Sequence, residues 1–163
     1  VGIGAQYGDR GATVLRKADL SMIHPELKEA LDAMLGDPEH WVHVGTVTPT
    51  GEPHVTPVML AYDDEYLYLS LTGRTKKANL EHDPRVCLSM ARDGDIAHVI
   101  VWGEVSMRED EWAQERWEFA MRHILGEQGL EQQRRPLTRD GTSLGVVTPK
   151  RWRVFGLGPG PGS

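Results

Sequence analysis

Between residues 41 and 72 three apolar, strand-prone stretches follow one another with only short turns between them, and this spacing restricts the possible folds more than any other feature. The first, residues 41–48, reads Trp-Val-His-Val-Gly-Thr-Val-Thr; the second covers residues 53–62 and the third residues 66–72. Their β-branched and aromatic content and their boundary residues are those of strands. The connections Pro49-Thr50-Gly51-Glu52 and Asp63-Asp64 are built from turn-forming residues and are short enough for hairpins. The rest of the chain continues the pattern. Residues 85–91 form an apolar strand, residues 92–95 a turn, and residues 96–107 a long strand with a bend expected at Gly103. Two further strands are expected at residues 143–148 and 151–157.

Helical spacing occurs twice at length. Ser21 with Ile23, Leu27, Ala30, Leu31, Met34 and Leu35 gives one amphipathic helix, with Pro25 in its first turn and Gly36-Asp37-Pro38 as its stop. Residues 109–125 place Ala113, Trp117, Ala120, Met121, Ile124 and Leu125 on one face; Gly126 and Gly129 are expected to end that helix, and residues 132–142 to form a polar loop. Six or seven strands with two or three helices, joined mostly as hairpins, make a mainly β (α+β) fold, a small antiparallel barrel. A parallel dinucleotide-binding sheet is disfavoured, because no G-x-G-x-x-G follows a first strand. With 163 residues the chain reads as one domain, residues 18–157, preceded by a glycine-containing arm (1–17) and followed by a Gly-Pro-Gly-Pro-Gly-Ser tail (158–163).

The third strand runs into Gly73-Arg74-Thr75-Lys76-Lys77-Ala78-Asn79-Leu80, where a glycine breaks the strand and a short helix begins. Thr75 is placed to cap that helix, whose first backbone N–H groups are unpaired and favour an anion. Arg74 and Lys76 would add a guanidinium fork and a point charge beside those amides, the equipment of a phosphate site. The other reading of the same octet is a loop with a solvated basic face.

In combination these pieces resemble a known family. The residues that carry the likeness are Thr46 to Pro57 (Thr-Val-Thr-Pro-Thr-Gly-Glu-Pro-His-Val-Thr-Pro), the run Gly73-Arg74-x-Lys76-x-x-Asn79-Leu80, and Asp83-Pro84-Arg85-Val86. The stretch from Trp41 to Met107 resembles the split β-barrel proteins related to pyridoxamine 5'-phosphate oxidase, and within them the oxidoreductases that use a flavin or the deazaflavin coenzyme F420.

The resemblance implies an antiparallel split β-barrel that pairs with a second copy, with FMN or F420 in a groove between the subunits. It assigns the cofactor phosphate to Arg74 and Lys76, helped by Thr72 and Thr75, gives Asn79 a structural role or a contact to the cofactor tail, and places the tricyclic ring along Thr56, Pro57, Val58 and Met59. Pro57 either frees a neighbouring backbone group for a ligand or is an ordinary edge-strand proline. The Arg-x-Lys-x-x-Asn-Leu run is more like the deazaflavin branch. F420 carries an anionic oligoglutamate tail, for which Lys77 is a candidate partner, though Lys77 equally suits a solvated position.

The function implied is hydride transfer between F420 or FMN and a small organic substrate, with chemistry supplied by the cofactor and positioning by the protein. The alternatives are a non-catalytic FMN- or F420-binding protein on the same barrel, and pyridoxamine 5'-phosphate oxidation. The last is demoted, because the terminal Arg151-Trp152-Arg153-Val154-Phe155 lacks the arginine- and histidine-bearing segment by which the vitamin B6 oxidases grip their product. No G-x-S-x-G, H-E-x-x-H or C-x-x-C motif is present, which weakens hydrolase and metalloenzyme readings.

His40 and His43 fall on opposite faces of a strand and make a poor metal pair. His54 and His98 lie in expected strands as either proton donors or wall residues satisfied by backbone. Trp102 and Trp152 are candidates for stacking on a ring or facing a partner, Trp117 for core and Trp112 for the barrel rim. The paired Arg134-Arg135 is expected at the surface.

Net charge is −6, which disfavours nucleic acid and anionic membranes as partners. The single cysteine, Cys87, excludes an internal disulfide framework. No apolar run approaches the ~18–20 residues that span a bilayer. The expectation is a soluble, cytoplasmic protein acting on a small molecule.

Overall fold

The structure is a computed structural model that describes residues 23–35, 41–92, 94 and 96–157. The expected N-terminal arm and C-terminal tail, with Ser21 and His40, lie outside the described residues.

Six strands close into an antiparallel barrel in the order β1-β2-β3-β6-β5-β4. They are β1 (Trp41–Val47), β2 (Pro53–Tyr62), β3 (Leu67–Leu71), β4 (Arg85–Ala91), β5 (His98–Arg108) and β6 (Ser143–Phe155). The helices are α1 (Pro25–Met34), α2 (Arg74–His82) and α3 (Glu111–Gln133). The hairpin between β1 and β2 turns at Gly51, whose φ of 89° favours glycine.

Alternation along the strands sends one set of side chains inward. Val42, Val44, Val58, Leu60, Leu88 and Val101 are among the residues of the barrel interior, and α1 adds Leu27 and Leu31, both fully buried, to the same cluster. Each such leucine contributes about 1.5–3 kcal/mol relative to exposure. A second cluster lies outside the barrel, where α3 lays Ala113, Trp117, Ala120 and Met121 against Ala61, Tyr68 and Val146. Trp117 also donates from Nε1 to Ser70 Oγ at 3.0 Å, so the buried indole is satisfied.

Three expectations need correction. The two terminal strands are one, β6, running unbroken from Ser143 to Phe155. Gly103 pairs with Pro149 and Trp102 with Arg151, which leaves Lys150 as the extra residue of a bulge. The bend expected at Gly103 falls here, and a Cβ on Gly103 would lie 2.4 Å from the Thr148 carbonyl oxygen, so only glycine permits this approach. Next, α3 does not end at Gly126 or Gly129. Gly126 breaks the helical geometry with φ 73°, and helix then resumes to Gln133 because Leu130 returns to the outer cluster, fully buried. The polar loop consequently begins at Arg134. Finally, the cap of α2 is Gly73, not Thr75, which sits inside the first turn.

Candidate functional site

The barrel is open along part of one strand. β2 pairs with β1 from Pro53 to Met59, but with β3 only from Leu60 to Tyr62. Among the described residues, then, residues 53–59 have a strand neighbour on one side only. β3 pairs with β2 through Leu69 and then leads past Leu71 into the Gly73 turn and α2. Continuing the β2–β3 register beyond its last pair, Leu60 with Leu69, sets Pro57 opposite Thr72 and Thr56 opposite Gly73. The free edge of β2 and the cationic turn are therefore the two lips of one groove.

The turn lip is built around Gly73. Its backbone, at φ 94° and ψ 137°, is a conformation that side chains resist, and it starts α2 with no side-chain cap. The first N–H groups of the helix are left to other partners. Arg74 is exposed and makes no hydrogen bond or ion pair with another described residue. Lys76 is half-buried and folds back to donate from Nζ to the Thr72 carbonyl at 2.6 Å. Burial holds its ammonium below the ordinary lysine range. Thr72 and Thr75 are exposed on the same turn.

Two other polar residues of α2 fix the helix. Lys77 is buried and donates to the carbonyls of Arg139 and of Gly141, the latter at 2.9 Å. It meets neither solvent nor a position reachable by a cofactor tail, contrary to both readings offered by the sequence. Asn79, also buried, donates from Nδ2 to Thr46 Oγ1 at 3.0 Å, which gives it a structural role.

The strand lip is two-sided. Val58 belongs to the barrel interior and Met59 packs against the outer cluster under α3. Thr56 shares the inward face with Val58; Pro57, exposed and paired with His43, shares the outward face with Met59. The four residues expected along a ring do not present one continuous side-chain surface, so only alternate members can face the same molecule. On the inward face, Thr56 Oγ1 and His54 Nδ1 are both buried without a hydrogen-bond partner.

The remaining candidates sort cleanly. His98 Nδ1 lies 2.9 Å from the Ile96 carbonyl and the ring stacks on Phe155, so it is a wall residue. Trp152 is buried in the barrel interior against His24 rather than facing a ring or a partner. Trp102 lies on the outer face beneath the Arg151 guanidinium, 4.0 Å from the ring centroid. Trp112 is flanked by Arg108 and Arg116 at the edge of the outer cluster. Arg134 pairs with Glu118 and Glu131, and Arg135 with Gln133, as surface residues do. His54 was legible as a groove residue; its orphaned nitrogen was not, since hydrogen-bond satisfaction depends on tertiary placement.

FMN and F420 both combine an acidic phosphate with a planar ring bearing hydrogen-bonding groups. The residues present fit such a molecule: an uncapped helix start with an unpaired guanidinium on one lip, and an orphaned buried hydroxyl on the other.

A six-stranded split barrel with a cationic turn across from its open strand edge is the class of protein defined by these features. Residues 25–155 match the family model described as pyridoxamine 5'-phosphate oxidase, and the chain belongs to that family. Among solved structures, an F420 reductase is similar at 23% identity and TM-score 0.58, covering 74% of this chain and 94% of that one. The heme storage protein of Vibrio cholerae is similar at 22% identity and TM-score 0.59, covering 82% and 94%. General stress protein 26 of Bacillus anthracis is similar at 21% identity and TM-score 0.56, covering 79% and 94%. These likenesses are likenesses of fold. No curated protein matches the sequence.

Proposed function

We propose that the protein is an oxidoreductase that binds F420 or FMN in the groove between β2 and the Gly73 turn and passes a hydride between that cofactor and a small organic substrate. The observation that carries the reading is the unpaired Arg74 at the uncapped start of α2, facing the free edge of β2. Arg74, with Lys76 released from the Thr72 carbonyl, would hold the phosphate through charge-assisted hydrogen bonds. Thr72 and Thr75 would add hydroxyls on the same turn. When bound, the ring would supply the two-electron chemistry, and the strand lip would orient it and exclude water. The solved F420 reductase of the same fold supports the lean toward the deazaflavin.

The active unit in this reading is a homodimer. α3 covers the outer face of β2, β3 and β6, but nothing described covers the opposite outer face. There Trp41 is 63% exposed and Val55 60%, with Pro57 beside them and Phe155 at the far end. Pro57 lies both on this face and on the groove's strand lip, so a second copy docked here would close the groove.

The test is equilibration of the protein with F420 and with FMN in parallel, read by retained absorbance and by fluorescence. Retention of one of them with turnover of an electron acceptor is expected. Retention without turnover for any acceptor would favour the non-catalytic binder, and retention of neither would remove the assignment.

A further inference from the structure

We propose that His54, together with the Thr56 hydroxyl beside it, hydrogen-bonds the heterocyclic ring of the bound molecule and so reads its identity from the strand lip of the groove. The inference rests on the cofactor reading above and extends it to a residue that the phosphate site does not involve.

Burying a polar atom without a partner costs about 1–3 kcal/mol, so two such atoms side by side need a reason. His54 Nδ1 and Thr56 Oγ1 are such a pair. They are two residues apart on the same face of β2, roughly 6–7 Å along the strand. Their surroundings do not absorb them. Thr46, directly across from His54 in the β1–β2 ladder, accepts its hydrogen bond from Asn79. Val44, across from Thr56, has no polar side chain to offer. Both residues lie within the stretch of β2 that has no strand on its second side, and the continued register sets them across from Gly73 and Thr75.

The chemistry of the pair indicates what it would meet. A neutral imidazole offers one donor and one acceptor, and a hydroxyl offers both. Together they complement an edge on which carbonyls alternate with N–H groups, as on the pyrimidinedione ring shared by flavins and deazaflavins. A phosphate, which only accepts, is better served by Arg74 and the α2 amides. The two lips thus divide the ligand, charge on one and hydrogen-bonding pattern on the other.

The experiment compares the native protein with His54→Phe, His54→Gln and Arg74→Ala. Each is titrated with FMN, with F420 and with the phosphate-free counterparts, riboflavin and the deazaflavin riboside, following ring fluorescence and the position of the bound absorption band. The His54→Phe change is expected to weaken phosphate-bearing and phosphate-free forms by the same factor, about tenfold, as for one lost hydrogen bond, and to shift the bound band. His54→Gln should recover part of the loss. Arg74→Ala should weaken only the phosphate-bearing forms and leave the band in place. Unchanged affinity and band in a His54→Phe protein with native melting temperature would overturn the proposal, as would a loss confined to phosphate-bearing forms. If His54→Phe does not fold, the same criteria apply to His54→Gln. Failure of the native protein to bind any of the four would instead defeat the cofactor reading itself, and this inference with it.

Discussion

The Lys77 ammonium donates to the Gly141 carbonyl at 2.9 Å, joining α2 to the turn that feeds β6 across 64 residues of sequence. A second bond, to the Arg139 carbonyl, makes it a two-point clasp. Hydrogen bonds from a charged donor contribute about 1.5–3 kcal/mol, so Lys77→Ala should lower unfolding free energy by roughly that amount. Urea denaturation is the measurement, and a midpoint unchanged from the native protein would show that solvent replaces the clasp without cost.

Arg74 and Lys76 are expected to behave differently from Lys77. Arg74→Ala removes a side chain with no described partner, so stability should stay within about 0.5 kcal/mol of native. Binding of FMN or F420 should fall by ~1–3 kcal/mol in Arg74→Ala and in Lys76→Ala, as when a charge-assisted hydrogen bond is lost. Fluorescence titration checks both, and full affinity in both variants would place the phosphate elsewhere.

Asp83, the residue following α2, gives a pH dependence with a definite sign. The Arg85 guanidinium beside it, hydrogen-bonded at 2.6 Å, holds its carboxyl below the ordinary value of 3.8 despite some burial. A carboxylate whose native pKa is depressed stabilises the fold above the unfolded value and loses that contribution as pH falls through the native one. Denaturation midpoints of the native protein should therefore decline below pH 3.8 more steeply than those of Asp83→Asn. Parallel curves for the two proteins would show that the pair contributes nothing.

The uncovered outer face makes the fourth prediction. A glutamate in place of Val55, which is 60% exposed on that face, would introduce a charge into a dry contact if a second copy docks there. Light scattering after size exclusion should report a dimer for the native protein and a monomer for Val55→Glu, with little change in melting temperature at low concentration. A dimer that survives the substitution would put the contact on another surface.

Most of the barrel could be read from the sequence because its strands obey a simple alternation and its turns are short. β2 and β4 occupy the very residues expected, for there the apolar runs are bounded by Pro53 and Asp63 in one case and by Pro84 and Arg92 in the other. Local signals misled where a tertiary contact outweighed them. Thr75 has the chemistry of a cap, yet Gly73 alone tolerates the backbone that opens α2 one residue earlier. Gly126 does distort α3, but burial of Leu130 draws the chain back into helix. In the groove, the cations were visible as types and positions. That Lys77 turns inward while Arg74 stays free depends on carbonyls at residues 139 and 141 that no local pattern connects to α2.

The unpaired Lys150 has a consequence for how this protein tolerates change. Before it, odd-numbered residues of β6 such as Val147 point into the barrel; beyond it, even-numbered residues such as Trp152 do. Deleting that one lysine would shift the phase of everything downstream, turning Arg151 and Arg153 toward the interior and expelling Trp152. Substitution at the position is cheap, whereas loss of a single codon there would turn the last third of the strand inside out.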